Sequence, residues 1–279
     1  MTIKQLEKLE KLLDHVGDIA LRRRARRMIQ DLNPKPGDRI LDVGCGDGFY
    51  LFLLSNLGIK LSLYGTDFDT LALKSAKINL KNRKIPLKQA DLMKKLPFRD
   101  NFFDKVVMSE VAEHLPNDIK GLKEVSRVMK KGGTLCLTVP NANYPLMWDP
   151  VNKVMESLTG KHIRDGFWAG LWFNHLRLYT VDQITTVVQK AKLHVAEATA
   201  LTFWCLPFNH HIVNLGARVV YARGTSEKIV QAVSKYEVNQ PLSPTVKFIY
   251  GIFRLVDSLN DWYQPKKYGA GVYIKAVKN

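Results

Sequence analysis

Two carboxylates and a glycine-rich turn stand at the ends of successive apolar segments, where they could bind a nucleoside. The segment ILDV runs directly into residues 44–48, GCGDG, and glycines there let the backbone turn sharply and approach a ligand closely. Asp67 ends the next apolar segment in YGTDFD, where a carboxylate can accept hydrogen bonds from both hydroxyls of a ribose. Asp91 ends a third segment in QADL, a position that suits contact with an adenine amino group.

The spacing of the glycines excludes two common phosphate-binding sites. A dinucleotide-binding G-x-G-x-x-G turn requires its third glycine at position 49, which is Phe49 in this chain. A P-loop requires Gly-Lys-Ser/Thr after the turn, and that sequence does not follow. The pattern is G-x-G-x-G, so the turn predicts a different nucleoside-containing ligand.

His114 and His175 are the candidate proton acceptors. His114 follows a fourth apolar segment in SEVAEHL, and His175 lies in FNHLRLYT, before a late helix. A nearly neutral imidazole can take a proton from a hydroxyl group, a contribution worth about 10²–10⁴-fold in rate. The alternative is that both histidines only orient loops. No metal site is predicted, because His210 and His211 are adjacent, point apart and have no third ligand spaced for them.

Apolar strands alternate with amphipathic helices through the middle of the chain, which indicates an α/β fold with a parallel sheet covered on both faces. The carboxyl ends of such strands form the crevice where ligands bind, so the turn, the two acids and His114 should gather there. The predicted strands are 39–43, 61–66, 87–91, 105–109, 134–139 and 194–201, and the predicted helices are 49–57, 70–81, 119–129 and 181–190.

Four parts are predicted along the chain. Residues 1–35 form an N-terminal helical segment with two helices, and residues 36–202 form the core. Residues 203–268 are helical in pattern and rich in aromatic residues, so they are predicted to be a cap or insertion. Residues 269–279 alternate apolar and polar side chains, which predicts a final strand at the edge of the sheet.

Residues 36–200 closely resemble the class I S-adenosylmethionine-dependent methyltransferases, especially the type-11 family and its quinone-biosynthesis O-methyltransferase branch. LDVGCGDG, TDFD, ADL, SEVAEHL and KKGGTLCLTVPN resemble five landmarks of that family, in the same order and spacing. The resemblance implies a Rossmann-like seven-stranded sheet, S-adenosyl-L-methionine as the cofactor and methyltransferase activity. It implies cofactor contacts from Asp42, Gly44, Cys45, Gly46, Gly48, Asp67, Phe68, Asp91, Leu92 and Ser109.

The resemblance also indicates where an acceptor would bind. The segment from His175 to Thr180 resembles an element that helps close the acceptor pocket in the same branch. Residues 141–173 carry six aromatic side chains that could wall an apolar pocket, although such clusters are often ordinary packing. The expected acceptor is a small, lipophilic molecule methylated on a hydroxyl oxygen. These aromatic residues are Tyr144, Trp148, Phe167, Trp168, Trp172 and Phe173.

The net charge of +16, from 42 Lys and Arg against 26 Asp and Glu, favours anionic partners without choosing among them. A nucleic-acid methyltransferase is therefore an alternative, but no Asn-Pro-Pro-Tyr-type motif follows the fourth strand. A non-catalytic S-adenosylmethionine-binding module is a second alternative, which the two intact acids at 67 and 91 oppose.

Localisation is predicted from the cysteines and the apolar segments. Cys45, Cys136 and Cys205 form no CxxC pair, which favours a reducing compartment and hence the cytoplasm. The apolar segments within 203–268, with the arginines of 22–27, predict peripheral contact with the anionic inner face of a membrane. Plain packing or a homodimer interface is the alternative.

Overall fold

The computed structural model describes residues 1–81, 83–206, 234–238 and 241–279. Its centre is a seven-stranded sheet, which confirms the predicted fold. The strands are β1 (Arg39–Val43), β2 (Ser62–Asp67), β3 (Leu87–Gln89), β4 (Phe103–Ser109), β5 (Met129–Pro140), β6 (Leu193–Leu201) and β7 (Gly271–Lys278). Their order in the sheet is β3-β2-β1-β4-β5-β7-β6. Strands β1 to β5 pair in parallel, and β7 runs antiparallel to both of its neighbours.

Eight α-helices lie in the described residues and cover both faces of the sheet. One apolar core contains side chains of α1, α2, α3 and α4, and the core on the opposite face contains side chains of α5 and α7. The bounds are α1 (Ile3–Leu13), α2 (Ile19–Leu32), α3 (Phe49–Asn56), α4 (Thr70–Leu80), α5 (Asp118–Val128), α6 (Pro150–Thr159), α7 (Val181–Lys190) and α8 (Pro244–Trp262). Two 3₁₀ turns span Ala112–His114 and Phe167–Trp172.

Local sequence explains why these elements begin where they do. The side chain of Asp18 accepts hydrogen bonds from two backbone amides at the start of α2, which satisfies donors that a helix leaves unpaired. Thr180 and Gln183 form a capping box at the start of α7. Strand β1 buries Ile40 and Leu41 completely, as a strand covered on both faces requires.

The prediction that the last strand lies at the edge of the sheet is wrong. Strand β7 lies between β5 and β6, and Val272, Tyr273 and Ile274 are completely buried. The alternation of apolar and polar residues misled because Tyr273 counts as polar but is buried here. Its hydroxyl lies 3.4 Å from Sγ of Cys136.

The arginines of α2 are engaged in ion pairs within the chain. Five arginines were expected to supply charge to an anionic surface, but every one of them contacts a carboxylate of this protein. Arg26 lies 2.6 Å from Glu10, and Arg27 lies 2.6 Å from Asp31. The remaining pairs are Arg22 with Glu10 and Asp14, Arg23 with Asp257 and Asp261, Arg24 with Glu110, and Arg27 with Glu197.

The predicted cap falls partly outside the described residues. Of residues 203–268, the stretches 207–233 and 239–240 are not described. Helix α8 lies in the described part of this segment. Helix α8 contacts α2. Among the described residues, no helix has the length and apolar character that crossing a membrane requires.

Candidate functional site

The turn between β1 and α3 contains glycines at positions where a side chain would either clash or occupy open space. Gly44 and Gly46 have φ values of 67° and 52°, a region that favours glycine. A Cβ on Gly44 would lie 2.4 Å from Cγ2 of Val111, whereas a Cβ on Gly46 would meet no atom within 4 Å. The turn therefore packs closely at Gly44 and leaves free space beside Gly46.

Asp67 fixes this turn and keeps acceptor capacity for a ligand. Its Oδ2 accepts a hydrogen bond from the Gly46 amide at 2.8 Å, and its Oδ1 accepts one from the Asp69 amide at 2.8 Å. A carboxylate has about four lone-pair sites, so two hydrogen bonds leave room for two more. The geometry suits a vicinal diol such as that of a ribose.

A cavity of about 640 Å³ opens at the carboxyl ends of β1, β2 and β4. We call it the first cavity. Its volume lies within the range of small-molecule sites. Eight sequence-predicted residues line it: Gly44, Gly46, Asp67, Phe68, Asp91, Leu92, Ser109 and His114. The sequence did not indicate the other lining residues, Val43, Thr66, Ala90, Met93, Glu110, Val111, Leu115 and Pro116.

Three predicted cofactor contacts are not part of this wall. Asp42, Cys45 and Gly48 are absent from the lining residues. Asp42 is 1% exposed, and burial raises its pKa well above the usual carboxyl range, with the charges of Asp67 and Asp47 adding to the effect. Burial likewise raises the pKa of the Cys45 thiol. All three are buried rather than exposed to the cavity, and we call them the supporting residues.

Glu110 joins the first cavity to a second one. Its φ is 55°, a conformation that non-glycine residues rarely adopt and that often accompanies function. Its amide donates to the Thr138 carbonyl at 2.9 Å, and its Oε2 lies 2.7 Å from Nη1 of Arg24. Glu110 lines both cavities. The N-terminal helix α2 thus reaches the site through Arg24.

The second cavity, of about 160 Å³, has mostly apolar walls. Trp148 is one of the predicted aromatic residues and lies in this wall together with Leu171 and His175. Tyr144, Trp148, Leu171 and Trp172 belong to one small buried cluster beside it. The other residues of the wall are Asp18, Ala20, Arg24, Glu110, Thr138, Pro140, Leu201, Thr202, Ala270, Gly271 and Val272.

The structure brings His114 and His175 together although 60 residues separate them. Their ring centroids are 4.9 Å apart. His114 Nδ1 lies 3.0 Å from the Asn174 carbonyl, and His175 Nδ1 lies 2.5 Å from the Leu171 carbonyl. A carbonyl oxygen can only accept, so each Nδ1 carries the hydrogen and each neutral ring has its lone pair on Nε2.

Glu113 completes this cluster, and its place in SEVAEHL does not distinguish it from a solvated surface acid. The Glu113 side chain is completely buried. Its Oε1 lies 3.7 Å from His114 Nε2 and 3.9 Å from His175 Nε2. Among the described residues, neither carboxylate oxygen has a hydrogen-bond partner. Burial raises the pKa of Glu113 well above the usual carboxyl range, and the nearby charge of Glu110 adds to this. A proton or a cation among these three atoms would offset the repulsion between their lone pairs.

The three side chains also meet a geometric condition for a metal site. One ligand atom from each of Glu113, His114 and His175 lies within 4.8 Å of the other two. Each imidazole holds its second nitrogen on a backbone carbonyl, as metal-binding histidines commonly do. The sequence indicated no metal site because His175 is distant in the chain. The loop hydrogen bonds Leu176 N to Glu113 O and Arg177 Nη1 to Leu115 O bring it close.

Comparisons with known proteins agree with the site. Residues 41–137 match the sequence profile of a family described as a methyltransferase domain. Residues 41–137 therefore carry the sequence features of a methyltransferase domain. S-adenosylmethionine is the cofactor of this domain. The first cavity fits it, since free space beside Gly46, a carboxylate at Asp67 and apolar walls suit its amino-acid, ribose and adenine parts.

The curated relatives match only part of this chain. Demethylmenaquinone methyltransferase of Staphylococcus carnosus is 35% identical over 124 residues, which are 43% of this chain and 51% of that protein. The enzyme of the same name from Desulfitobacterium hafniense is 31% identical over 156 residues, 54% of each chain. The chain thus spans about half the length of the curated relatives it matches.

Solved structures share the fold at low identity. Phosphoethanolamine N-methyltransferase 2 of Haemonchus contortus, solved with S-adenosyl-L-methionine, has a TM-score of 0.55 at 16% identity, covering 91% of this chain and 52% of that chain. The YcgJ protein of Bacillus subtilis has a TM-score of 0.54 at 17% identity, covering 92% of this chain and 98% of that chain. These likenesses establish the fold of the whole domain.

Proposed function

We propose that the protein transfers a methyl group from S-adenosylmethionine to a hydroxyl oxygen of a small, lipophilic acceptor. One observation carries the proposal. The two cavities meet at Glu110, His114 lies in the wall of the first cavity, and His175 lies in the wall of the second. The cofactor would occupy the first cavity and the acceptor would enter the second.

The residues of the chain have separate tasks in this proposal. When bound, S-adenosylmethionine supplies a methyl group that is already activated for transfer. Asp67 and Asp91 would hold the nucleoside, and the apolar wall of the second cavity would align the acceptor. Proximity and orientation of this kind supply up to about 7–11 kcal/mol in favourable cases.

His114 and His175 would remove the proton of the acceptor hydroxyl. Their Nε2 atoms carry lone pairs, because each Nδ1 is held on a backbone carbonyl. Glu113 lies beside both Nε2 atoms at 3.7 and 3.9 Å, where its carboxyl group would position the two rings. We infer that the acceptor oxygen would lose its proton to an imidazole as it bonds to the methyl carbon, while the carbon–sulfur bond of the bound cofactor would break and leave S-adenosylhomocysteine.

The same cluster offers a second way to activate a hydroxyl. Glutamate and two histidines are a common ligand set for zinc and related divalent metals, and the three ligand atoms lie within 4.8 Å of one another. A chelator separates the two uses. If a proton alone lies in the cluster, a chelator leaves turnover unchanged. If a metal lies there, turnover falls and a divalent metal restores it.

An acceptor of this kind resides in a membrane, so we infer that the protein works at the inner face of a lipid bilayer. The nucleic-acid alternative is weakened because the five arginines of α2, which contribute to the positive net charge, are paired with carboxylates of the chain. The small apolar volume of the second cavity also suits a compact organic ring better than a polynucleotide.

Transfer of a labelled methyl group to cell extracts tests the proposed function. The purified chain, labelled S-adenosylmethionine and a fractionated extract are incubated at neutral pH. The expected result is label in the organic phase, in an alkali-stable methyl ether. Label in RNA would favour the nucleic-acid alternative. Binding of the cofactor without label in any fraction would favour a non-catalytic module.

A further inference from the structure

Helix α8 turns its apolar side away from the protein. Five large apolar side chains recur along it at intervals of four and three residues, which places them on one face. We call them the outward stripe. Their exposed fractions are far above those of core residues. The stripe consists of Phe248 (71%), Ile252 (43%), Leu255 (72%), Leu259 (44%) and Trp262 (82%).

Polar contacts hold the helix in this orientation. Asp257 and Asn260 are 5% and 2% exposed and face the protein. Asp257 forms an ion pair with Arg23 of α2. Asn260 accepts a hydrogen bond from the Trp204 amide at 2.7 Å and donates one to the Trp204 carbonyl at 3.0 Å. The helix cannot rotate the stripe inward without breaking these contacts, so the stripe stays exposed among the described residues.

We propose that α8 lies in the headgroup region of an anionic bilayer with the outward stripe in contact with the acyl chains. Both acids of the helix, Asp257 and Asp261, bind Arg23, which offsets one of their two negative charges. Lys247 and Lys266 lie near its two ends, and neither has an ion-pair partner among the described residues. Helices with an apolar face and flanking basic residues bind membranes in this way.

A further feature favours lipid over another protein surface. Trp262 is followed by Tyr263 and Tyr268, which are 48% and 55% exposed, and such aromatic residues are enriched where a membrane meets water. Of the other basic residues nearby, Arg254 pairs with Asp14 and Lys267 pairs with Asp182. The electrostatic part of the attraction to a membrane therefore rests on few lysines. The outward stripe should supply most of the binding free energy.

The position of α8 connects the membrane with the acceptor site, and this step rests on the proposed function. Asn260 holds Trp204, and the neighbouring Phe203 carbonyl accepts a hydrogen bond from Trp148 Nε1 at 3.0 Å. Trp148 lies in the wall of the second cavity. A lipophilic acceptor could pass from the bilayer beside α8 to this cavity with little exposure to water.

Flotation with vesicles tests the docking surface. The full chain is mixed with vesicles of phosphatidylcholine containing phosphatidylglycerol, and binding is compared with the variant Phe248→Ser/Leu255→Ser/Trp262→Ser. These side chains are exposed, so the variant should fold, which cofactor binding by calorimetry would verify. We expect binding of the chain to vesicles and a loss of about tenfold or more in the variant, since each change removes apolar area from the contact.

A matched control replaces exposed apolar residues elsewhere in the chain with serine. Leu71 and Ile78 of α4 are 66% and 73% exposed, and α4 contacts β2 and β3 at the other end of the sheet. Leu71→Ser/Ile78→Ser should bind vesicles as the parent chain does. Equal losses in both variants would overturn the assignment to α8.

Other results would overturn the proposal in distinguishable ways. If the chain does not float with vesicles, or the α8 variant floats equally well, the stripe is not a membrane surface. If the parent chain is a dimer without vesicle binding and the α8 variant is a monomer, the stripe is a subunit interface. Vesicle binding without methylation of any extract would retain the docking surface and reject the proposed function instead.

Discussion

The two cavities are built in different ways. The first is formed where parallel strands end and loops begin, and its key contacts, such as Gly46 with Asp67, connect neighbouring strands. The second is assembled from α2, the 3₁₀ turn Phe167–Trp172 and the last two strands. The residues of the first cavity are thus positioned by the order of the strands. The residues of the second cavity come from segments that are far apart in the chain.

The largest effect is expected from blocking the first cavity. Gly46→Arg places a long side chain in the free space beside the turn, and it also forces a non-glycine residue to a φ of 52°. We expect S-adenosylmethionine binding, measured by calorimetry, to be lost. Gly37→Arg is the matched control, because Gly37 also has a positive φ and open space but lies in the turn before β1. Equal loss in both would mean that backbone strain is the cause.

The next largest effect should arise at the boundary of the two cavities. His114→Ala and His175→Ala should each lower turnover by about 10²–10⁴-fold, the usual contribution of a general base. Cofactor affinity should change little, because Asp67 and the glycine turn remain. The measurement is kcat alongside calorimetric binding. Full turnover in both variants at neutral pH would show that alignment alone suffices.

A smaller effect is expected from Arg24, which belongs to the second cavity alone. Arg24→Gln removes the charge that holds Glu110 at 2.7 Å, so we expect the acceptor KM to rise about tenfold with cofactor affinity unchanged. Arg26→Gln, which breaks a pair with Glu10 on the same helix, is the control and should leave KM unaltered. A raised cofactor dissociation constant in Arg24→Gln would contradict the separate roles.

The smallest effect concerns stability and sharpens the distinction between lining and supporting residues. Burial raises the pKa of Asp42, so its folded form prefers the proton, and the associated stability is lost as pH rises through that raised pKa. Asp42→Asn should therefore be more stable than the parent at neutral pH, by about 1 kcal/mol or more. The difference should shrink toward pH 4, near the usual carboxyl pKa.

Urea unfolding across this pH range measures the effect. Asp165→Asn, at an exposed position, is the control and should leave the free energy of unfolding unchanged. Calorimetry on Asp42→Asn should also show retained cofactor binding, since Asp42 is not in the cavity wall. A large loss of affinity would return Asp42 to the cofactor contacts predicted from the resemblance.

The sequence predicted the first cavity well because its signals are local. A glycine turn or a strand-ending acid is recognisable from its neighbours in the chain, and parallel strand order then places Asp67 beside Gly46. Strand β1 and helix α7 were predicted with the bounds that the structure has. The predicted position of β7 at the edge of the sheet was wrong. The position of a strand in a sheet depends on its pairing partners, which the periodicity of the sequence does not reveal.

The second cavity could be predicted only in part. The resemblance marked His175 and Trp148, but the contact of Arg24 with Glu110 spans 86 residues of chain, and no local pattern connects them. Glu113 is one of two acids in SEVAEHL, and no local pattern predicts that it is completely buried beside two histidines. The outward stripe of α8 was seen as apolar composition, while its direction depends on Asp257 and Asn260.

A crystal structure of the chain with S-adenosylhomocysteine, the product left after methyl transfer, tests the division between the two cavities most directly. The ribose hydroxyls should bind Asp67, the adenine should lie near Asp91 and Leu92, and the sulfur should face the boundary at Glu110. The second cavity should remain open to an acceptor. A product bound elsewhere, or a sulfur that points away from Glu110 and His114, would contradict the proposed arrangement.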